Sequence, residues 1–357
     1  MKGKKVLFLF PYPSGTAGSQ RFRFEQYFHY LEEAGFSIKK QSFLDEKTWK
    51  ILYKKGYTFQ KVIGILKGFL KRLFILFSVP SYDYVFIHRE ATPVGPPIFE
   101  WIIAKIFRKK IIFDFDDAIW LPNTSDTNKF IAGFKFHDKT AAICKMAHKV
   151  SAGNEYIAEF ASKFNENTVV NPTTIDTVNM HNQLKKQDEI PVKIGWTGTH
   201  TTLHFLEKTI PTLLKVYQKK PFTLIVIANT EPSFDFPSME YKVWNKKSEI
   251  EDLLSFHIGL MPLTDDPWAR GKCGFKALQY MALGIPAIAS PIGVNKKIID
   301  DKENGYLCAN ENEWEAALLH LLNDNRLRVE MGINARKKIE RAYSVEANSA
   351  SFLSFFE

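Results

Sequence analysis

Short apolar runs recur along this chain, and most of them are separated by stretches of helical periodicity. Residues 6–10 (VLFLF), 84–87 (YVFI), 111–115 (IIFDF), 192–196 (VKIGW), 222–228 (FTLIVIA), 257–261 (HIGLM) and 285–289 (IPAIA) all have strand length. Near-continuous apolar runs of this length suit strands covered on both faces, as in a parallel sheet. Residues 38–42, 150–152 and 241–244 read as further strands. Residues 20–34 read as a helix, with Phe22, Phe24, Tyr27, Phe28 and Leu31 available for burial and Gly35 as its stop. Helices are also predicted over 141–149, 155–164, 202–218, 249–256, 313–323 and 325–343. The alternation of strand and helix predicts an α/β chain. The polar, aperiodic run 183–189 reads as a linker, after which the alternation restarts. At 357 residues the chain is long enough for two domains.

The most informative stretch is 268–295, WARGKCGFKALQYMALGIPAIASPIGVN. Phe275, Leu278, Met281 and Ala282 fall on one helical face, and Gly284 and Pro286 end that helix. Gly271 and Gly274 precede it, beside Lys272 and Lys276. A loop running into a helix N-terminus presents unpaired N–H groups and a partial positive charge, which suits a phosphate. The plainer alternative is a turn with solvated surface lysines. A second glycine-bearing turn, GWTGTH at 195–200, also leads from a strand into a helix and offers Gly198 and Thr199 to an anion.

These segments resemble the donor-binding half of GT-B glycosyltransferases, particularly retaining family 4. Members commonly carry Glu-x7-Glu running into EAMA-x-G-x-P-V-I-A, and LQYMALGIPAIAS is similar to that continuation. Gln279 and Gly271 stand where the two glutamates would be. The chain instead resembles a branch with D-x-W-x-x-G-K-C-x-x-K, here Asp266, Trp268, Gly271, Lys272, Cys273 and Lys276. Residues 169–176 resemble the family's V-x-N-G-V-D segment between domains, and 304–307 its N-G-x-L turn. The resemblance implies two Rossmann-like domains facing a cleft: 1–185 for the acceptor, 190–340 for the nucleotide-sugar, and a tail 341–357 crossing back to the first. It implies donor contacts at Gly198, Thr199, Trp244, Arg270, Lys272, Gly274, Phe275, Lys276 and Gln279, with Lys272 on the diphosphate. It also implies that Asp116, Asp117 and His88 face the transferred sugar.

In the first half, the loop 11–19 contains Gly15 and Gly18 but lacks the full G-x-G-x-x-G of a dinucleotide site. Arg21 and Arg23 open the following helix, where cations oppose the macrodipole. His88-Arg89-Glu90 and Asp116-Asp117 lie just beyond predicted strands, where α/β folds bind ligands. An aspartate pair also suits a metal or a helix cap. By the resemblance, Gly15, Arg21, Arg23, Arg89 and Glu90 are assigned to the acceptor, and no metal or cofactor is expected.

The net charge of +9 favours an anionic partner without choosing it, and no nucleic-acid module is recognisable. The three cysteines, Cys144, Cys273 and Cys308, are too few and too scattered for a disulfide framework. The basic start and the apolar run at 6–10 fit a buried first strand better than a secretory signal. Residues 47–80 form a basic, helically periodic segment, interrupted by Lys67, Lys71 and Arg72 and too charged to span a bilayer. Its two readings are a helix lying on an anionic membrane and a helix packed on the sheet with lysines outward. The expectation is a cytoplasmic, hexosyltransferase-like enzyme, peripheral on the inner face of the membrane. It would move sugar from a UDP- or GDP-linked donor to a saccharide or lipid-linked acceptor with retention, in cell-envelope polysaccharide or glycolipid synthesis. The alternatives are a nucleotide-sugar-binding protein without transferase activity and a GT-B epimerase.

Overall fold

The computed structural model describes residues 3–54, 56–121 and 138–357. The chain divides into two compact units, Met1–Thr173 with Ser349–Glu357, and Thr174–Asn348. Both are α/β units built on a six-stranded sheet in which every paired strand runs parallel.

The first sheet contains β1 (Lys5–Phe10), β2 (Ser37–Ser42), β3 (Tyr84–His88), β4 (Lys110–Phe115), β5 (Lys149–Ala152) and β6 (Thr168–Val170), ordered β2-β1-β3-β4-β5-β6. The second contains β7 (Lys193–Gly198), β8 (Thr223–Ala228), β9 (Met239–Val243), β10 (Ile258–Met261), β11 (Ala287–Ala289) and β12 (Gly305–Leu307), ordered β12-β11-β10-β7-β8-β9. Interior strands are buried almost throughout, whereas β2, β6 and β9 at the edges are partly exposed. This is why the interior strands read as solid apolar runs. The strand order reverses between β1 and β3 in the first sheet and between β7 and β10 in the second. Ligands of open parallel sheets bind beyond the carboxyl ends at such reversals.

The first unit closes with the chain's own C-terminus. Phe352, Phe355 and Phe356 are buried. The Phe352 ring stacks on Tyr27 at 4.3 Å, and Phe356 meets Phe36 and Tyr84 at 5.6 and 5.7 Å.

Three expectations are revised. The helix expected over 20–34 is broken into Gly18–Arg21, a short 3-10 turn Glu25–Tyr27, and Phe28–Glu33. All five residues 20–24 are buried, which one helical face cannot achieve, so the backbone turns to bury them. The helix expected over 202–218 is likewise two pieces, Leu203–Glu207 and Ile210–Lys219. Pro211 lacks the N–H a continuous helix needs and sits in the first turn of the second piece, where none is required. The run 183–189 is no free tether. Gln187 is buried, donates to the His257 carbonyl at 3.2 Å, and accepts at its side-chain oxygen from Arg328 Nε at 3.1 Å.

The segment 47–80 departs from the reading of a helix packed with its apolar face inward, and Arg72 departs from the charged surface expected of it. It contains helices Glu46–Ile51 and Thr58–Leu76. The inward face of the longer helix is Gly64, Gly68 and Arg72. A Cβ at Gly68 would lie 2.6 Å from the Phe43 ring, so glycine here permits close approach. Arg72 is fully buried and donates to the carbonyls of Ala91 (2.7 Å), Gln41 (3.1 Å) and Phe10 (3.0 Å), and to Gln41 Oε1 at 2.6 Å. It is an internal strut tying the ends of β1 and β2 to the chain after β3, not a surface cation. Several large apolar residues face outward instead, with Phe59 74%, Phe74 71% and Phe77 84% exposed, whereas Phe69 is partly buried and meets the Phe43 ring at 5.4 Å. Replacing Arg72 with Met keeps much of the volume but removes these four hydrogen bonds, while the Phe10 carbonyl keeps a second donor in the Phe43 N–H at 2.8 Å. Chemical denaturation of Arg72→Met is expected to show a loss of about 3 kcal/mol.

Candidate active site

In the first unit, the polar groups gather at the carboxyl ends of β3 and β4. Asp114 lies inside β4 and is completely buried. Its Oδ1 accepts from Arg23 Nη2 at 2.5 Å and from Ser151 Oγ at 2.6 Å, and its Oδ2 pairs with His88 Nδ1 at 2.7 Å. Arg23 also donates to the Asn171 carbonyl. Burial alone would raise the Asp114 pKa, but the Arg23 guanidinium and the His88 hydrogen bond reverse this and hold the carboxyl well below its ordinary value. Arg23, expected at the acceptor, is therefore enclosed in a buried ion pair. His88 is buried too. Its Nδ1 is held by Asp114, and its Nε2 has no hydrogen-bond partner among the described residues.

Arg89 follows His88 with φ of +63°, a left-handed conformation unusual for a side chain of this size. Its N–H donates to the Asp114 carbonyl at 2.7 Å. The turn aims its guanidinium at both expected acids, reaching Asp116 Oδ1 at 2.9 Å and Asp117 Oδ2 at 2.5 Å. Burial raises the Asp116 pKa, but Arg89 more than offsets that and lowers it. Burial correspondingly opposes the charge on Arg89, and the two aspartates overcome it. Asp116, Asp117 and Arg89 are each partly exposed, so this cluster reaches solvent while the Asp114 cluster below it does not. Glu90 pairs with Lys139 at 3.2 Å.

The other acceptor candidates make local contacts in the loop and turn after β1. The Gly15 N–H donates to Glu25 Oε2 at 2.8 Å, and the Arg21 guanidinium lies 4.9 Å from the Phe22 ring centroid. Gln20, missed as a candidate, clips the loop by accepting from the Tyr12 N–H at 2.8 Å and donating to the Tyr12 carbonyl at 3.0 Å.

In the second unit, the expected donor residues other than Trp244 lie on the turn that ends β7 and on residues 270–279, which follow β10. Asp266 caps the short helix Pro267–Arg270 by accepting from the Ala269 N–H at 2.8 Å. Gly274 then adopts φ of +70° and opens the helix Phe275–Ala282. The left-handed conformation selects glycine at 274, and a Cβ there would also require the Ile298 Cδ1 methyl, 2.1 Å away, to shift. Lys272 Nζ lies 5.5 Å from the Trp268 ring centroid and Lys276 Nζ 5.3 Å from that of Trp196. Arg270 makes a two-pronged exposed pair with Asp265 at 2.6 and 3.0 Å. Gln279 is buried and donates to Glu249 Oε1 at 3.5 Å. Glu249, itself buried, was not anticipated.

The turn after β7 is more occupied than expected. The Thr199 N–H donates to Thr202 Oγ1 at 3.2 Å and the His200 N–H to Asn229 Oδ1 at 2.8 Å. Trp244 follows β9, is half-buried, and donates its backbone N–H to Ala228 at 3.0 Å. Phe275 opens the same helix as Lys276, and Gly198 ends β7 with no room for a Cβ beside Trp196 and Thr202.

Residues 262–338 match the model of the family described as glycosyl transferases group 1. No curated protein matches the chain by sequence. Among solved structures, a glycosyltransferase from Rickettsia africae is similar at a TM-score of 0.68 and 13% identity, covering 99% of this chain and 98% of that one. The catalytic domain of starch synthase IV from Arabidopsis thaliana, bound to ADP and acarbose, is similar at 0.67 and 12%, covering 99% of each chain. The Anabaena protein Alr3699/HepE, in complex with UDP-glucose, is similar at 0.61 and 14%, covering 98% and 99%. At these identities the likeness shows the fold, which is GT-B. Together with the family match over 262–338, it supports a glycosyltransferase enzyme.

Asp114→Asn leaves Arg23 buried without its counter-charge, and denaturation is expected to show a loss of about 3–5 kcal/mol. The depressed Asp114 pKa makes stability depend on pH in a defined direction. Below the ordinary Asp value of about 4, the unfolded chain binds the proton first, so native stability falls as pH drops toward the folded value. Melting temperatures between pH 6 and pH 2.5 should show a smaller acid slope in Asp114→Asn than in the parent.

Proposed function

We propose that this chain moves a sugar from a nucleotide-sugar to an acceptor hydroxyl with retention at the anomeric carbon. The observation carrying the proposal is the convergence of Lys272, Lys276 and the left-handed Gly274 helix entrance at the β7/β10 reversal, within the segment matching glycosyl transferases group 1. A departing nucleoside diphosphate gains negative charge as the glycosidic bond breaks. Fixed cations and aligned N–H groups stabilise that charge most where it develops. The helix Phe275–Ala282 supplies the N–H groups at its first turn, and Lys272, two residues before Gly274, supplies a full charge beside them. Helix dipole and lysine therefore act on the same oxygens.

The first unit supplies the polar cluster expected at the reacting sugar. Arg89 lowers the Asp116 pKa against the effect of burial and fixes the orientation of both Asp116 and Asp117, and Asp114 fixes the orientation of the His88 ring. Carboxylates held by a guanidinium are poor nucleophiles, which suits a mechanism in which the leaving diphosphate takes the proton of the incoming hydroxyl. The resemblance to retaining enzymes supports retention. The UDP, ADP and sugar ligands of the structural neighbours support a nucleotide-sugar donor. The proposed setting is cytoplasmic, with a UDP- or GDP-linked donor and an acceptor in cell-envelope polysaccharide or glycolipid synthesis.

Gln279 and Gly271 in place of the family's two glutamates give the binding-only alternative its one specific support. A thermal-shift panel of UDP, GDP, ADP and TDP with their sugar conjugates separates these outcomes, because a ligand of the folded state raises the melting temperature by mass action. A rise with one nucleotide family, followed by release of that diphosphate from the conjugate, is the expected result. A rise without release would favour the binding protein. Lys272→Ala is expected to weaken nucleoside-diphosphate affinity about tenfold to a hundredfold, the loss of one charge-assisted contact. Unchanged affinity by calorimetry would remove Lys272 from the diphosphate site.

A further inference from the structure

The helix Thr58–Leu76 has its polarity reversed for a helix packed on a sheet. Its buried residues are two glycines and an arginine, with Phe69 partly buried beside them against Phe43. Phe59, Leu66, Leu70, Leu73 and Phe77, spaced three, four or seven residues apart, together with Phe74 beside Leu73, point away from the unit and are all at least half exposed. The 19 residues of the helix make a ridge about 28 Å long at 1.5 Å per residue. The adjoining segment, which meets the helix where Phe69 and Phe99 approach to 6.3 Å, exposes Ile98, Trp101 and Ile106. An exposed apolar surface this continuous marks a contact with something apolar.

The charges around the ridge select the partner. The helix contains no acidic residue. Lys67 and Lys71 each follow a ridge leucine by one position, which places them along its edge. Lys105 and Arg108 are exposed on the adjoining segment, where the acid Glu100 is buried. A second copy of this chain would set cation against cation across the contact. Asp45, the cap of the neighbouring helix Glu46–Ile51, is the acid that faces Lys67 and Lys71, and Lys105 and Arg108 add to the basic border. A long apolar ridge with this excess of cations suits a planar, deformable, apolar partner with negative charge at its surface. Among the described residues, no helix is long and apolar enough to cross a membrane.

We propose that this ridge is a membrane-docking face, laid in the plane of an anionic bilayer with its phenylalanines and leucines among the acyl chains and Lys67, Lys71, Lys105 and Arg108 at the lipid phosphates. Arg72 takes no part, since it is consumed inside the fold. The apolar side chains supply the depth and the lysines supply the preference for anionic lipid. The proposal does not rest on glycosyl transfer, because the ridge lies in the first unit and needs no nucleotide.

Co-sedimentation of the full chain with phosphatidylglycerol/phosphatidylcholine vesicles and with pure phosphatidylcholine vesicles tests it. The parent should pellet with the anionic vesicles and far less with the neutral ones. Leu66→Glu combined with Leu70→Glu should lose at least tenfold of that binding, since each leucine insertion is replaced by a charge repelled from the surface. Both side chains point outward, so the melting temperature of this variant should match the parent's. Lys67→Gln with Lys71→Gln should weaken binding about fivefold per lysine and flatten its dependence on salt. If the double-glutamate variant does not fold, this second pair decides the matter alone. No pelleting by the parent, or equal pelleting by parent and glutamate variant, would overturn the proposal. So would a parent dimer in light scattering that the glutamate variant abolishes without any vesicle binding; the ridge would then be a self-association face. Vesicle binding with no response in the nucleotide panel would leave the docking face standing and the transferase reading fallen.

Discussion

A carboxylate inside a fully buried parallel strand has to be neutralised where it stands, and Asp114 sets that requirement for the first unit. Its partners come from across the unit: Arg23 from the turn after β1, His88 from the end of β3 and Ser151 from β5. Removing any one partner would leave charge or hydrogen-bonding capacity stranded in low dielectric. The broken helix between residues 18 and 33 follows from the same demand, since Arg23 can reach β4 only if the backbone turns inward there. Arg89 then takes its left-handed conformation at the very residue whose N–H is fixed to the Asp114 carbonyl. A backbone bond to β4 thus fixes the residue that orients the partly exposed acid cluster, directly above the buried ion pair, which is where backbone strain is expected to have a use.

The two units apply one architectural rule with opposite electrostatics. Each reverses its strand order once and gathers its polar residues at the carboxyl ends beside the reversal. In the second unit the groups on offer are cations and helix N–H groups around Gly274. In the first they are aspartates whose charge is balanced by Arg89. The second arrangement suits an anionic leaving group. The first suits positioning a neutral, hydroxyl-rich group that develops positive charge.

Much of this could be read before any coordinates were at hand. A strand buried on both faces must be apolar throughout, so β1, β3, β4, β7, β8 and β10 announce themselves as runs. The Gly274 helix entrance was equally readable, because capping is a local matter of a few residues. What could not be read depends on distance along the chain. Arg23 and Asp114 are 91 positions apart, and only the folded sheet brings them together. The one signal available was an aspartate within the run IIFDF, which implies a buried cation without saying which. The break at Pro211 was legible in principle, since proline inside a helical pattern marks a boundary.

The helix Thr58–Leu76 shows a different limit. Helical periodicity defines an axis across the helix but not which end of that axis faces the protein. The apolar end is ordinarily taken as the inside, because burying a Leu or Phe side chain contributes roughly 1.5–3 kcal/mol. Here that assumption is overruled by shape: Gly64 and Gly68 let the helix sit where Thr48 and Phe43 leave no room for larger side chains. Arg72 can replace an apolar contact because four acceptors converge on it. The exposed residues forgo a stabilisation on the order of 10 kcal/mol, comparable to the whole net stability of an ordinary domain. Turning the helix over would not recover it, since six large side chains would then meet a surface fitted to glycine. The apolar ridge is therefore held outward by the packing beneath it, and the sequence pattern and the inward glycines belong to one design.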